Sequence, residues 1–154
     1  MLIQLKRAEV SDAEKIHCMQ VAGFKALLDK YRDFETSPGA ETLERVKIRF
    51  ENPQIDHYFI NLNDESIGYL RVNRLEANTC RLSQLFVLPE YQANGYAQQA
   101  IRQVELLYPQ ASKWTLDTIK QEQKLCYLYE KMGYRQTGLV TNIKDGMDLV
   151  DYIK

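Results

Sequence analysis

Leu85-Phe-Val-Leu-Pro-Glu-Tyr-Gln-Ala-Asn-Gly-Tyr-Ala97 runs directly into Gln98-Gln-Ala-Ile-Arg-Gln-Val-Glu-Leu-Leu107. An apolar run ends at a proline, a short polar loop carries one glycine, and a helical pattern begins. Ala100, Ile101, Val104 and Leu107 recur at the three- and four-residue spacing of one helix face. A strand that feeds a tight turn and then a helix aims several backbone N–H groups at one spot, and the helix dipole adds partial positive charge there. Such a spot suits a phosphate. A side chain at Gly95 would obstruct close approach of a diphosphate, and Ala97 is the next smallest choice. Taken alone the loop is ambiguous, because a strand–turn–helix unit is common and need bind nothing.

Beyond this stretch, 154 residues suffice for one domain, spanning 1–154, with a real core. Hydrophobic content of 45% and charged content of 27% match a globular chain. A net charge of −1 argues against a nucleic-acid partner, which calls for a basic excess. No apolar run approaches the length of a membrane span, and the start Met-Leu-Ile-Gln-Leu-Lys lacks the apolar core of a signal peptide. The expectation is a cytoplasmic protein with no membrane partner. Cys18, Cys80 and Cys126 show no CxxC spacing and, being three, cannot all pair, so they read as reduced thiols. His17 and His57 lie far apart without metal-ligand spacing and read as structural or exposed, so no metal site is expected.

The remaining segments read as alternating elements without a linker, low-complexity stretch or repeat. Leu2–Ala8 alternates as a strand, and Ser11-Asp-Ala-Glu14 has the spacing of a capping box before a helix using Ile16, Met19, Phe24, Leu27 and Leu28. After Ser37-Pro-Gly39, a second helix carries Leu43, Val46, Lys47 and Phe50 on one stripe. Strands follow near His57–Leu62 and Ile67–Arg74, joined at Asn63-Asp-Glu-Ser66. Cys80–Leu88 reads as the central strand and Lys113–Thr118 as another. A final hairpin turns at Lys144-Asp-Gly146.

Gln92-Ala-Asn-Gly95-Tyr-Ala97 resembles the Gln/Arg-x-x-Gly-x-Gly/Ala signature of the GNAT superfamily of acetyl-CoA-dependent N-acetyltransferases. In that family the signature follows a strand of the form Leu-x-Val-x-Pro, here Leu85-Phe-Val-Leu-Pro89. Leu125-Cys-Tyr-Leu-Tyr-Glu-Lys-Met-Gly-Tyr134 is similar to the helix ending in Leu-Tyr-Glu-x-x-Gly-Phe that completes the acyl-CoA site. The resemblance implies a mixed α+β (α/β) GNAT fold: a central, mostly antiparallel sheet with a splayed V-shaped cofactor cleft, flanked by helices in the order β-α-α-β-β-β-α-β-α-β-β.

Acetyl transfer from a thioester to an amine needs a deprotonated amine, a donor to the carbonyl oxygen and a proton for the departing thiolate. The resemblance assigns backbone groups around Leu85, Phe86 and Val87 to the pantetheine amides, as an added strand would use them. It also implies a bulge near Gln84–Phe86 that opens the cleft. It assigns the pyrophosphate to the N–H groups from Ala93 to Gln98, so to Ala93, Asn94, Gly95, Tyr96, Ala97 and Gln98, with the side chains of Gln92 and Asn94 as further candidates. The loop itself carries no Lys or Arg. Arg102, on the following helix, would either reach a phosphate or lie on a solvated face.

Tyr129 falls where many family members keep a tyrosine that protonates the leaving thiolate; the alternative is packing on the stripe Leu125, Leu128, Met132. Tyr127 and Tyr134 read as structural. Asp117 falls where ribosomal-protein acetyltransferases hold a glutamate base, and it could equally cap the next helix or pair with a lysine. A carboxylate serves as a base only if burial raises its pKa or a water chain links it to the amine. Seven residues before the motif tyrosine the family often has a cofactor-contacting asparagine, whereas this chain has Glu122, which cannot donate that hydrogen bond. The resemblance places substrate recognition in Tyr31-Arg-Asp-Phe-Glu-Thr36 and Val140–Asp148. There Asp33 and Glu35 would attract a cationic amine beside Tyr31 and Phe34, or the segment is a solvated loop anchored by its aromatics.

The leading expectation is an N-acetyltransferase moving the acetyl group of acetyl-CoA directly to a primary amine of a small molecule or peptide. Cys126 is read as a near-core residue, not a nucleophile. A non-catalytic acyl-CoA-binding or sensory module on the same fold is the alternative, favoured by Glu122 and opposed by Tyr129. A mononucleotide-binding domain is a third, opposed by the antiparallel meander ahead of the loop and by the single glycine within it. A homodimer is the default assembly.

Overall fold

Apolar residues alternate through the first half of the chain, and short turns join them into an antiparallel meander. The computed structural model describes residues 2–154. Its elements are β1 (Ile3–Arg7), α1 (Ala13–Tyr31), α2 (Leu43–Arg49), β2 (Ile55–Leu62), β3 (Glu65–Arg74), β4 (Thr79–Val87), α3 (Tyr96–Leu107), β5 (Lys113–Ile119), α4 (Gln123–Lys131), β6 (Arg135–Lys144) and β7 (Met147–Ile153). This is the expected order. The strands form one seven-stranded sheet in the order β1-β2-β3-β4-β5-β7-β6. Every neighbouring pair is antiparallel except β4–β5.

Local chemistry sets the joints. Asn63 adopts φ 57° in the two-residue turn between β2 and β3, and Gly146 adopts φ 79° between β6 and β7. The expected Ser11–Glu14 capping box does not form. A 3-10 turn over Val10–Asp12 precedes α1, and it is Asp12 whose carboxylate accepts the Glu9 N–H at 2.9 Å. The reciprocal capping pair is Glu9 and Asp12, two residues earlier than the sequence pattern suggested. Gly68 allows β3 to close on β4, since a Cβ there would collide with the Phe86 carbonyl oxygen.

The sheet buries a different core on each face. Helices α3 and α4 cover Leu70, Val72, Leu82, Val87, Leu116, Val150 and Tyr152 with Ala100, Ile101, Val104 and Tyr129. Helices α1 and α2 cover Phe59, Tyr69 and Phe86 with Ile16, Met19 and Val46. Gln99 and Gln103 of α3 clamp the β1 edge: Ile3 N–H donates to Gln99 Oε1 at 3.0 Å and Gln103 Nε2 donates to the Ile3 carbonyl at 2.8 Å. That occupies backbone groups an edge strand would otherwise expose. Among the described residues no helix is long and apolar enough to cross a membrane.

Two irregularities open the middle of the sheet. The parallel ladder between β4 and β5 lasts only through Thr79–Lys113, Cys80–Trp114 and Arg81–Thr115, after which the strands part. On the other edge of β4 the register with β3 jumps from Leu82–Val72 to Gln84–Arg71, leaving Ser83 as a bulge. The bulge thus sits one residue ahead of the expected Gln84–Phe86 segment. Its extra residue reverses the alternation of β4, so Leu82, Val87 and the partly buried Leu85 share the α3/α4 face. Phe86 turns to α1 and α2.

Candidate active site

The loop after β4 is folded by its own side chains. Following a 3-10 turn at Pro89–Tyr91, Gln92 Nε2 donates to the Val87 carbonyl at 2.9 Å. Asn94 Nδ2 donates to the carbonyls of Tyr91 (3.1 Å) and Gln92 (3.0 Å). Both side chains nominated for phosphate therefore secure the loop instead. Ala93 (φ 64°) and Gly95 (φ 79°) adopt left-handed backbone, which turns the chain sharply into α3. The first helical bond runs from Gln99 N to Gly95 O at 3.1 Å. Among the described residues the N–H groups of Ala93, Asn94, Gly95, Tyr96, Ala97 and Gln98 have no hydrogen-bond partner in the chain. A Cβ added to Gly95 meets nothing within 4 Å. A run of free donors at a helix N-terminus, with open space in front of it, fits a diphosphate without a cationic side chain. Arg102 is exposed on α3.

The open edge of β4 supplies the next donors and acceptors. Leu88 N–H bonds to the Ile67 carbonyl at 2.8 Å. With the alternation of an antiparallel ladder, Phe86 and Gln84 then direct their backbone groups to β3. Leu85 and Val87 direct theirs to the gap where β5 has left, and the Val87 carbonyl there is already held by Gln92. Of the three strand residues expected to meet pantetheine, Phe86 contributes an apolar side chain on the α1 face rather than backbone groups.

Tyr129 lies on α4, 7% exposed, with the rings of Tyr134 and Tyr152 at 6.1 and 6.3 Å. The other buried tyrosines all spend their hydroxyls. Tyr108 donates to Asp56 at 2.6 Å, Tyr134 to Glu105 at 2.9 Å and Tyr152 to Glu130 at 2.6 Å, while Tyr58 bonds Tyr108 and Tyr69 bonds His57. Among the described residues Tyr129 is the one buried tyrosine with no hydrogen-bond partner. Burial, with the nearby Asp117 and Cys126, pushes its pKa well above the ordinary phenol value, so it stays protonated.

Asp117 projects from the opposite face of β5, alternating with Leu116 and Thr118. It neither caps a helix nor pairs with a lysine: Arg81 Nη2 donates to its Oδ2 at 2.8 Å, where β4 and β5 part. Burial and the facing Asp151 raise its pKa above the ordinary carboxylate value, against the pull of Arg81.

Glu122 has a structural partner set in place of the family's cofactor contact. Its Oε2 accepts from Lys30 Nζ at 2.7 Å and from the Tyr31 hydroxyl, tying the end of α1 to the start of α4. Burial pushes its pKa up, but these hydrogen bonds outweigh burial and hold the carboxyl below its ordinary value. Asp33, expected to attract an amine, is consumed by its own turn: it accepts from the Glu35 and Thr36 N–H groups and the Thr36 hydroxyl. Phe34 is exposed, with the Arg32 guanidinium over its ring. Cys126 is half-buried, its thiol near the Ile119 carbonyl at 3.7 Å. Sequence reasoning missed the polar row of His57, Arg71 and Gln84 facing α1, which emerges only from strand register.

The family profile described as the acetyltransferase (GNAT) family matches residues 24–134. No curated protein sequence matches significantly. A spermidine N-acetyltransferase from Vibrio cholerae, solved with CoA and spermine, superposes with a TM-score of 0.78 at 17% identity, covering 99% of this chain and 94% of its own. An acetyltransferase from Thermus thermophilus gives 0.77 at 19% identity, covering 100% and 97%. The PaiA N-acetyltransferase of Thermoplasma acidophilum, solved with coenzyme A, gives 0.72 at 16%, covering 99% and 98%. At these identities the likeness is one of fold.

Proposed function

The chain belongs to the GNAT acetyltransferase family, and from that premise we propose that it transfers the acetyl group of acetyl-CoA directly to a primary amine. The observation that carries the proposal is the row of free N–H groups from Ala93 to Gln98 beside the β4–β5 gap. One site so built would hold the two ends of the cofactor: the diphosphate at the α3 N-terminus and the pantetheine amides along the backbone of Leu85 and Val87. Fixing the thioester there makes attack by a bound amine a local event.

Within this arrangement Tyr129 gives its proton to the departing sulfur. Its unpaired hydroxyl and raised pKa suit a donor that is fully protonated at neutral pH. Asp117 receives the proton that the amine loses, directly or through water. Partial desolvation and Asp151 make it a stronger base than an ordinary aspartate, and Arg81 holds its carboxylate in place. Acetyl-CoA supplies the activated acyl group. The unpaired cysteines fit a reducing, cytoplasmic setting.

The test is release of free CoA thiol from acetyl-CoA with a panel of primary amines. Amine-dependent release that is lost in Tyr129→Phe supports the proposal. Acetyl-CoA binding without turnover on any amine would favour the non-catalytic sensor instead.

A further inference from the structure

Strand register aligns three polar side chains under α1. His57 of β2 pairs with Arg71 of β3, and Arg71 pairs with Gln84 of β4, so all three share one face in a single cross-strand row. The row ends at the Ser83 bulge, on the strand that borders the β4–β5 gap. Arg71 is half-buried, yet among the described residues no carboxylate lies within ion-pair distance of it. Glu41, the carboxylate whose field reaches it, is engaged by both guanidinium nitrogens of Arg49 and by Gln20 Nε2. A cation drawn out of water without a counter-ion is unfavourable unless something else compensates it.

The same layer leaves polar atoms unsatisfied. Gln84 Oε1 and Gln20 Oε1 are buried without a partner, as is His57 Nε2. Gln84 is 7% exposed and Gln20 0%. Buried polar atoms normally find partners, and the guanidinium beside them has the Tyr69 hydroxyl but no paired carboxylate, so the layer calls for a ligand offering both charges. Arg71 and Gln84 stand on neighbouring strands, roughly 5.5 Å apart between Cα atoms of such a pair. That spacing fits a carboxylate and an amine carried on one carbon.

We infer that the acceptor is an α-amino acid, whose carboxylate pairs with Arg71 while its amine donates to Gln84 Oε1 beside the bulge. The inference rests on the acetyl-transfer reading above and names its substrate class. A polycation such as spermine finds less here, since Glu41 and Glu122 already hold Arg49 and Lys30. With Gln84 orienting the nitrogen, Asp117 lies across the gap on the same face of the sheet to take its proton.

The experiment is calorimetric titration of single L-amino acids, their amides and spermine into the CoA-saturated protein, where no turnover occurs. At least one L-amino acid is expected to bind, and its amide to bind roughly 10- to 100-fold more weakly, the loss typical of a charge-assisted pair. Arg71→Gln should abolish that preference while leaving CoA affinity unchanged, and Arg71→Lys should keep part of it. Three results would each overturn the inference: no L-amino acid binds, amides or spermine bind as well, or Arg71→Gln weakens acid and amide alike. Repeating the titrations on the free protein separates the two readings. Absence of CoA binding sinks the transfer reading alone, while the carboxylate preference is still measured.

Discussion

Single side chains in this protein acquire their roles from what the others leave undone. Tyr129 stands apart because each other buried tyrosine has a partner for its hydroxyl. Tyr129→Phe is therefore expected to lower kcat roughly 100-fold, within the range of general acid catalysis, with acetyl-CoA affinity unchanged. Equal turnover would remove the tyrosine from the chemistry. Asp117, with its pKa raised by burial and Asp151, should impose an acidic limb on the pH–rate profile as protonation removes the base. Asp117→Asn should lose that limb along with most of the rate. His57 makes a prediction about stability. Burial, with Arg71 nearby, lowers its pKa from 6.5 to about 4 in the folded protein. The unfolded chain then binds the extra proton between those values, so stability is complete above pH 6.5 and falls as pH drops toward 4. At pH 5 the loss is about 2 kcal/mol, at about 1.36 kcal/mol per pKa unit. Urea denaturation at about pH 7 and pH 5 checks this, and His57→Gln should flatten the difference.

Elements show which features were legible in advance and which were not. The β2–β3 and β6–β7 turns follow from residues that tolerate positive φ, Asn63 and Gly146, and those were readable from the chain. The strand–loop–helix at residues 85–107 was equally plain, because its signals are local. The side chains of Gln92 and Asn94 defied expectation for a physical reason: a loop with two residues at positive φ needs internal hydrogen bonds, and theirs are the nearest amides. The Ser83 bulge was expected one residue late, since its position depends on pairing with β3 rather than on local sequence. The row of His57, Arg71 and Gln84 was invisible for the same reason, because residues far apart in sequence become neighbours only through register. At this scale Gly95→Asp is the sharpest probe. Aspartate tolerates the backbone angle, its Cβ meets no chain atom, and its charge faces the free N–H row. Acetyl-CoA affinity should fall about tenfold or more, a charge effect of ~1.4 kcal/mol, with the melting temperature little changed.

Across the whole molecule, a sheet with a separate core on each face is interrupted where β4 and β5 separate. The mixed α+β architecture was legible from element order and from the two motifs together. The depth of the gap and the pairing of Glu122 with Lys30 and Tyr31 were not, since both join segments distant in the chain. We propose that the free donors of α3, the open backbone of β4, Tyr129 and Asp117 serve one site at this gap, and cofactor binding there is the central claim. Calorimetric titration of the pure protein with acetyl-CoA, CoA and ATP in parallel tests it most directly. Saturable binding of acetyl-CoA and CoA with no response to ATP is the predicted result; absence of acetyl-CoA binding, or equal binding of ATP, would contradict it.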